Sequence, residues 1–431
     1  MSAGHAPGWA PKRELWAWAF YDFANSGYTT VVLTAIFNAY FVGVVAAGYG
    51  PGGATLLWTG VVALANLIVL LSGPLVGAIA DARAAKKPFL VVTTVGCVGL
   101  TAGLATVGPG DVVLGSALLV GSYVLFTSGE NLISAFLPEL APPEALGRLS
   151  ARGWALGYVG GLLVLGLCLA WLQFAAARGI ETTAAVPGTL LIVAVAFALA
   201  ALPTLFWLRD RTPPPPPGGR KVALTAGWQR LGQTWHEAHL FVDLRRFLVT
   251  LAVYHAGIQT VIVLATVYAQ QALGFGTVES LWLILVVNVT AALGALAFGH
   301  LQDRIGSVRT LALALALWLV AGGLAWAAEG RPLFWLAANL VGIALGASQS
   351  AGRALVGRFA PVGRTAEFFG LWGVAVKLAA IVGPLTYGLL GFVTGGDHRT
   401  ALLSTLAFFA VGLLLLLGID ERRGMQAAGR A

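Results

Sequence analysis

Residues 299–310 read GHLQDRIGSVRT, and residues 77–88 read GAIADARAAKKP. Each stretch follows a long apolar run, opens on Gly, places Asp four positions later and ends in basic residues. Gly77 aligns with Gly299, and Asp81 with Asp303, at an offset of 222 (299 minus 77). A second match sets FLPELAP at 136–142 against VGRFAPV at 356–362. There Ala141-Pro142 falls on Ala360-Pro361 at an offset of 219 (360 minus 141). The chain is therefore duplicated, with both copies running in the same direction.

What surrounds these turns identifies their medium. Of the 431 residues, 58% are hydrophobic and 10% charged. That is too little charge to keep a soluble protein of this size wet, so a bilayer is its main solvent. A crossing helix needs about 20 mostly apolar residues. Twelve such runs are predicted: six near 16–46, 55–79, 88–107, 112–137, 150–175 and 186–208, and six near 246–272, 279–300, 308–328, 333–352, 366–393 and 399–419. The first is longer than a crossing needs and must tilt, kink or project from the bilayer.

Charge sets the orientation. Of the 26 Lys and Arg residues, 22 fall on one side; Arg178, Arg331 and Arg399 fall on the other, and Lys377 lies within a run. The positive-inside bias puts both termini in the cytoplasm and the chain in the cytoplasmic (inner) membrane. The net charge of +8 does not indicate a nucleic-acid partner, because it is scattered over loops. Cys97 and Cys168 sit in apolar runs, as inert buried thiols do. No cofactor, metal site or cleaved leader is expected. The organisation is 1–208 as a first six-helix half, 209–245 as a cytoplasmic linker and 246–431 as a second half. The linker opens on RDRTPPPPPGGRK, a stiff spacer. Trp228, Leu231 and Trp235 follow at helical spacing, which suits either a surface-lying helix or an ordinary linker helix.

Twelve spans, a long central loop and the Gly-x-x-x-Asp-Arg-x-Gly of the second turn resemble the major facilitator superfamily. The first turn departs from its pattern at Ala82, where a basic residue is expected. Five further motifs resemble one branch: WAFYDFANSGYTT (18–30), ENLISAFLPELAP (130–142), GWALGYVGG (153–161), SQSAGRAL (348–355) and EFFGLWGVAVKLAAIVGP (367–384). That branch holds bacterial transporters of unassigned substrate and fungal vacuolar amino-acid effluxers linked to autophagy. The resemblance implies an all-α polytopic fold of two six-helix parallel repeats. It also implies a latch at the turns, carried here by Asp81, Arg83, Asp303 and Arg304, and a central cavity lined by spans one, four, seven and ten.

Ionised groups cost about 2.5–3.5 kcal/mol at mid-bilayer on insertion scales, so each in-span polar residue is a functional candidate. Asp22, Asn25, Ser26 and Thr29 fall on one stripe of a helix and must face protein or water. Glu130 and Asn131 reach a similar depth in span four. Asp22 and Glu130, if neighbours, cannot easily both ionise, which makes them proton-coupling candidates. The alternative pairs either acid with Arg152 or Arg353 at a cytoplasmic gate. At the 219 offset, Glu130-Asn131 corresponds to Gln349-Ser350, so the second half keeps polarity there and drops the acid. Asn25, Asn131, Tyr254, His255, Gln259, Asn288 and Gln349 are candidate substrate ligands; a buried His is more often a satisfied helix–helix bond, and Asn288 fits either reading. Lys377, deep in span eleven, meets either a substrate carboxylate or a fixed acid such as Glu130 or Asp22. Gly153, Gly157 and Gly161, and Ala375, Ala379 and Gly383, make small-residue faces for close packing.

The reading is a secondary transporter, not an enzyme: a monomer in the lipid bilayer that moves a small molecule, amino acids or similar zwitterions, with protons as the coupling ion. An exporter of amphipathic drugs or lipids, or a non-transporting sensor or scaffold, are the rivals. No HExxH or Walker A motif is present, and the Gly before Ser350 that GxSxG requires is missing.

Overall fold

The computed structural model describes residues 8–211, 241–394 and 397–430. The linker's proline run and the Trp228/Leu231/Trp235 segment lie outside the described residues. Among the described residues, twelve helices are long and apolar enough to cross a membrane. They are α1 (Lys12–Val45), α2 (Gly53–Ala82), α3 (Lys86–Thr106), α4 (Val112–Leu140), α5 (Pro143–Ala177) and α6 (Thr183–Trp207), then α7 (Val242–Ala265), α8 (Trp282–Ile305), α9 (Ser307–Ala327), α10 (Arg331–Phe359), α11 (Thr365–Gly391) and α12 (His398–Leu416). A short α13 (Glu421–Ala427) follows. The seventh helix starts at Val242, four residues before its expected start at 246, because Asp243 can occupy its first turn by pairing with Arg423.

The long first span resolves its excess length by changing pitch. It is regular from Lys12 to Tyr28, then widens into π-type turns over Thr29–Ala35 and again over Phe41–Val45. The first widening coincides with a β-branched run, Thr29-Thr30-Val31-Val32, which crowds a regular helix. The Thr34 hydroxyl donates to the Thr29 carbonyl at 3.1 Å, and the Ile36 amide donates to the Val31 carbonyl at 2.9 Å, both spanning five residues. Its regular part is buried among α3, α4, α5 and α6. The Trp18 indole donates to the Ile133 carbonyl at 2.8 Å, Tyr21 bonds Thr94 at 2.7 Å, and Tyr28 stacks on Phe126 at 4.8 Å.

The glycine face of α5 receives the polar stripe of α1. A Cβ on Gly157 would lie 2.9 Å from the Ser26 hydroxyl, and one on Gly161 would lie 2.9 Å from that of Thr30. At the 222 offset these glycines become Ala379 and Gly383 of α11, where Gly383 meets α7 at Ala256 and Thr260. The duplication is therefore visible as packing: α1 on α5, and α7 on α11.

Ion pairs repeat it again. Glu14 near the start of α1 pairs with Arg211 just past α6, while Asp243 at the start of α7 pairs with Arg423 just past α12. The backbone amide of Arg209 reaches Glu14 at 3.4 Å, and that of Asp420 reaches Asp243 at 2.9 Å. In each half an acid at the first helix ties down the tail of the sixth.

Candidate functional site

Among the described residues, three carboxylate-centred connections join the two halves at their basic ends, beside a 3.1 Å hydrogen bond from the buried Lys86 ammonium to the Thr365 hydroxyl. In the first, Asp81 at the end of α2 accepts from the backbone amide of Glu367, third residue of α11, at 2.8 Å. In the second, Asp303 at the end of α8 accepts from the backbone amide and the side chain of Arg148, in the first turn of the regular part of α5. The positions match, since 148 and 367 differ by 219. A carboxylate against the first turn of a helix satisfies otherwise orphaned N–H groups and meets the positive end of the helix dipole. Arg83 and Arg304, the basic residues of the two turns, are both exposed.

The third connection lies deeper. Arg353 of α10, only 2% exposed, grips Asp22 of α1 in a fork, with Nη1 to Oδ1 at 3.0 Å and Nη2 to Oδ2 at 2.7 Å. Its Nε donates to the Ser150 hydroxyl at 3.1 Å and its Nη2 to the Ser150 carbonyl at 2.9 Å, both on α5. Trp18 and Trp154 flank the guanidinium at 4.8 and 5.2 Å from their ring centres. Gly153 makes room, since a Cβ there would stand 2.7 Å from Nη2. Of the two arrangements open to Asp22, the structure shows the pairing with Arg353. Arg152, the other basic candidate, is exposed at the surface.

Above this gate the fixed contacts thin out. Glu130 of α4 is half-buried and has no hydrogen-bond or ion-pair partner among the described residues. It lies within electrostatic reach of Lys377, Asp22 and Arg353. Gln259 on α7 and Gln349 on α10 are likewise half-buried and unpartnered. The side-chain amides of Asn25 and Asn131 are buried with none of their polar atoms bonded, as is Nδ1 of His255. Gly373 of α11 keeps a bare backbone where the Asn131 amide sits, for a Cβ would come within 2.6 Å of its nitrogen. Buried polar atoms normally find partners, and an orphaned group costs about 1–3 kcal/mol. Asn25, Asn131 and His255 carry such orphaned atoms, and with Glu130 they form the candidate polar cluster within the spans.

Lys377 completes the cluster from α11. It is 8% exposed and donates to the Tyr123 hydroxyl of α4 at 2.8 Å, which donates onward to the Asn66 side-chain oxygen of α2 at 2.8 Å. No carboxylate is bonded to Lys377 among the described residues, and its ammonium lies 4.7 Å from the Tyr123 ring centre. Tyr254 is buried against Gly352 and Gly412, a packing position between α7, α10 and α12. Asn288 donates to its own helix at Ile284, 2.8 Å away. Sequence reasoning passed over Tyr123, Asn66, Ser150 and Arg148. Only Arg148 had a usable signal, its 219 offset from Glu367.

Comparison with known proteins places the chain in a family and identifies its fold. The model of the family described as "Vacuole effluxer Atg22 like" matches residues 54–429. An uncharacterized MFS-type transporter of Bacillus subtilis, YxiO, is 28% identical over 408 residues, covering 94% of both chains. Autophagy-related protein 22 of Yarrowia lipolytica is 27% identical over 344 residues, which is 72% of this chain and 57% of that protein. Among solved structures, the proton:xylose symporter XylE superposes with a TM-score of 0.71 at 16% identity, covering 94% of each chain. An outward-facing bacterial homologue of the iron transporter ferroportin gives 0.70 at 16% identity, covering 95% of this chain and 99% of that one. At such identities these structures speak for the fold alone.

Proposed function

The chain belongs to the Atg22-like vacuole effluxer family of the major facilitator superfamily, and from that premise we propose that it carries amino acids or similar small zwitterions across the cytoplasmic membrane by proton-linked alternating access. It is a membrane transporter and not an enzyme. The observation that supports the substrate class is one free acid and one free base on facing halves. Glu130 projects from α4 and Lys377 from α11 at mid-span, each within reach of the other's field and neither ion-paired. A zwitterion satisfies both, with its ammonium toward Glu130 and its carboxylate toward Lys377, while the unbonded amides of Asn25 and Asn131 accept or donate to the rest.

Glu130 is the preferred coupling acid in this reading, since Asp22 is paired with Arg353 and Glu130 has no ion-pair partner among the described residues. Residues 1–208 and 246–431 are the rocking units, joined by 209–245. This reading places both termini and the basic face in the cytoplasm, which makes the closed face the cytoplasmic gate.

Counterflow of radiolabelled amino acids in proteoliposomes, with and without a pH gradient, tests the reading. Saturable exchange of one group of amino acids, enhanced by the gradient, is expected. Lys377→Gln loses a charge-assisted bond to the carboxylate, worth about 1.5–3 kcal/mol, and raises KM roughly ten- to a hundredfold. Glu130→Gln loses the response to the gradient and, without the carboxylate that meets the ammonium, exchanges with a raised KM. Absence of flux across the panel overturns the substrate class.

A further inference from the structure

Outside the transport path, a cleft of about 570 Å³ opens at the basic face between the start of α1 and the start of α5. Its walls carry three cations, Lys12, Arg148 and Arg152, together with Trp9, Leu15 and Trp16, and include no acidic residue. Lys12 and Arg152 are exposed and have no acidic partner among the described residues. Arg148 is spoken for on one side only: it holds Asp303 from behind and lies 5.6 Å from the Trp9 ring centre on the cleft side. The tryptophans leave 43% and 54% of their surface uncovered at the level where α1 emerges from its apolar run.

Uncompensated positive charge beside exposed indole and leucine describes a ligand that is anionic at one end and apolar at the other. A free phosphate leaves the tryptophans uncovered, and a zwitterionic lipid brings an ammonium toward cations that already lack partners. Trp and Tyr settle at membrane interfaces, and basic pockets between helices recruit anionic headgroups. We propose that this cleft binds an anionic phospholipid from the leaflet on the basic face. Its phosphate is held by Lys12, Arg148 and Arg152, and its glycerol and upper acyl chain lie over Trp9, Leu15 and Trp16. The site is separate from the Glu130–Lys377 cluster and does not depend on what that cluster carries.

The test measures lipid binding to the purified full chain by native mass spectrometry, with phosphatidylglycerol, phosphatidylcholine and water-soluble glycerol 3-phosphate as probes. Phosphatidylglycerol should bind saturably and in preference to phosphatidylcholine, and glycerol 3-phosphate should compete poorly. Lys12→Gln and Arg152→Gln should each weaken phosphatidylglycerol about 5-fold, and Trp16→Ala should weaken it without changing the preference over phosphatidylcholine. Arg148 is left intact because it also closes the face. Unfolding temperature in detergent alone checks that the variants fold, and either single charge variant suffices if the other does not. Equal binding of the two lipids, or unchanged binding in the folded charge variants, overturns the proposal. Strong competition by glycerol 3-phosphate reassigns the cleft to a soluble anion and overturns the lipid.

Discussion

A guanidinium offers five N–H donors in a fixed fork, and Arg353 spends its donors on two helices at once. Asp22 takes both ends of the fork while Ser150 takes Nε and a second bond from Nη2. Removing one partner of a buried pair leaves the other charge stranded, at a cost of about 3–5 kcal/mol. Asp22→Asn should therefore lower the unfolding temperature of the purified protein markedly. Asp22→Asn combined with Arg353→Gln should lose less than the two single changes added together, as a thermal-shift double-mutant cycle would read. Additive losses would mean that the pair is not coupled. This partnership was half legible in the sequence. An acid within an apolar run announces that it faces protein or water, but its partner stands 331 residues away. Which of two basic residues reaches it depends on how far α10 is turned toward α1, and no local spacing records that. Lys377 has the same limit: its depth was readable, and its hold on Tyr123 was not.

Among the helices, close approach is set by what is missing. Gly160 of α5 lies against α1 so tightly that a Cβ would come 2.5 Å from the Phe23 carbonyl oxygen, and backbone cannot swing aside. Gly166, six residues along the same helix, has nothing within 4 Å. Gly160→Ala should thus reduce the yield of folded protein and the unfolding temperature. Gly166→Ala should hold or slightly raise stability, since alanine favours a helix by up to about 1 kcal/mol over glycine in water. Equal behaviour of the two would remove the claim that α1 and α5 are in steric register. This scale was the most legible in the sequence. The small-residue faces at 153/157/161 and 375/379/383 stand at the repeat offset and mark matching interfaces. Their partners on α1 and α7 were not readable, because a glycine face shows where a helix is approached and not by what. The paired anchors Glu14–Arg211 and Asp243–Arg423 escaped notice for a different reason. Charges near span ends are the expected solvated background, and only contact distinguishes these four.

For the whole molecule, the question is what keeps the basic face shut. Asp81 on the α11 amide, Asp303 on Arg148 and the α5 amide, and the Arg353 fork all bridge the halves at that face. The cross-half hydrogen bonds and ion pairs run from there up to Lys377–Tyr123 at mid-span. A two-state rocking molecule changes its populations tenfold for every 1.4 kcal/mol removed from one state. Hydrogen bonds to charged groups contribute about 1.5–3 kcal/mol each, and those of Asp81 and Asp303 exist only while the face is closed. Replacing both aspartates by alanine should therefore raise the fraction open at this face by at least about tenfold. Ser350 supplies a reporter: it is 1% exposed beside the Arg353 fork, and its hydroxyl has no partner, so Ser350→Cys fits the site. The native thiols Cys97 and Cys168 are buried and stay silent. Maleimide labelling of the introduced thiol should be slow in the otherwise unchanged chain and accelerate with Asp81→Ala and Asp303→Ala together. Each single change should give an intermediate rate, because the two contacts occupy matching places in the duplicated fold. If the double variant labels no faster, the closed face is held by the Arg353 fork and by backbone packing at Gly73, Gly77 and Gly370, and the two repeated turns serve only to cap their neighbouring helices.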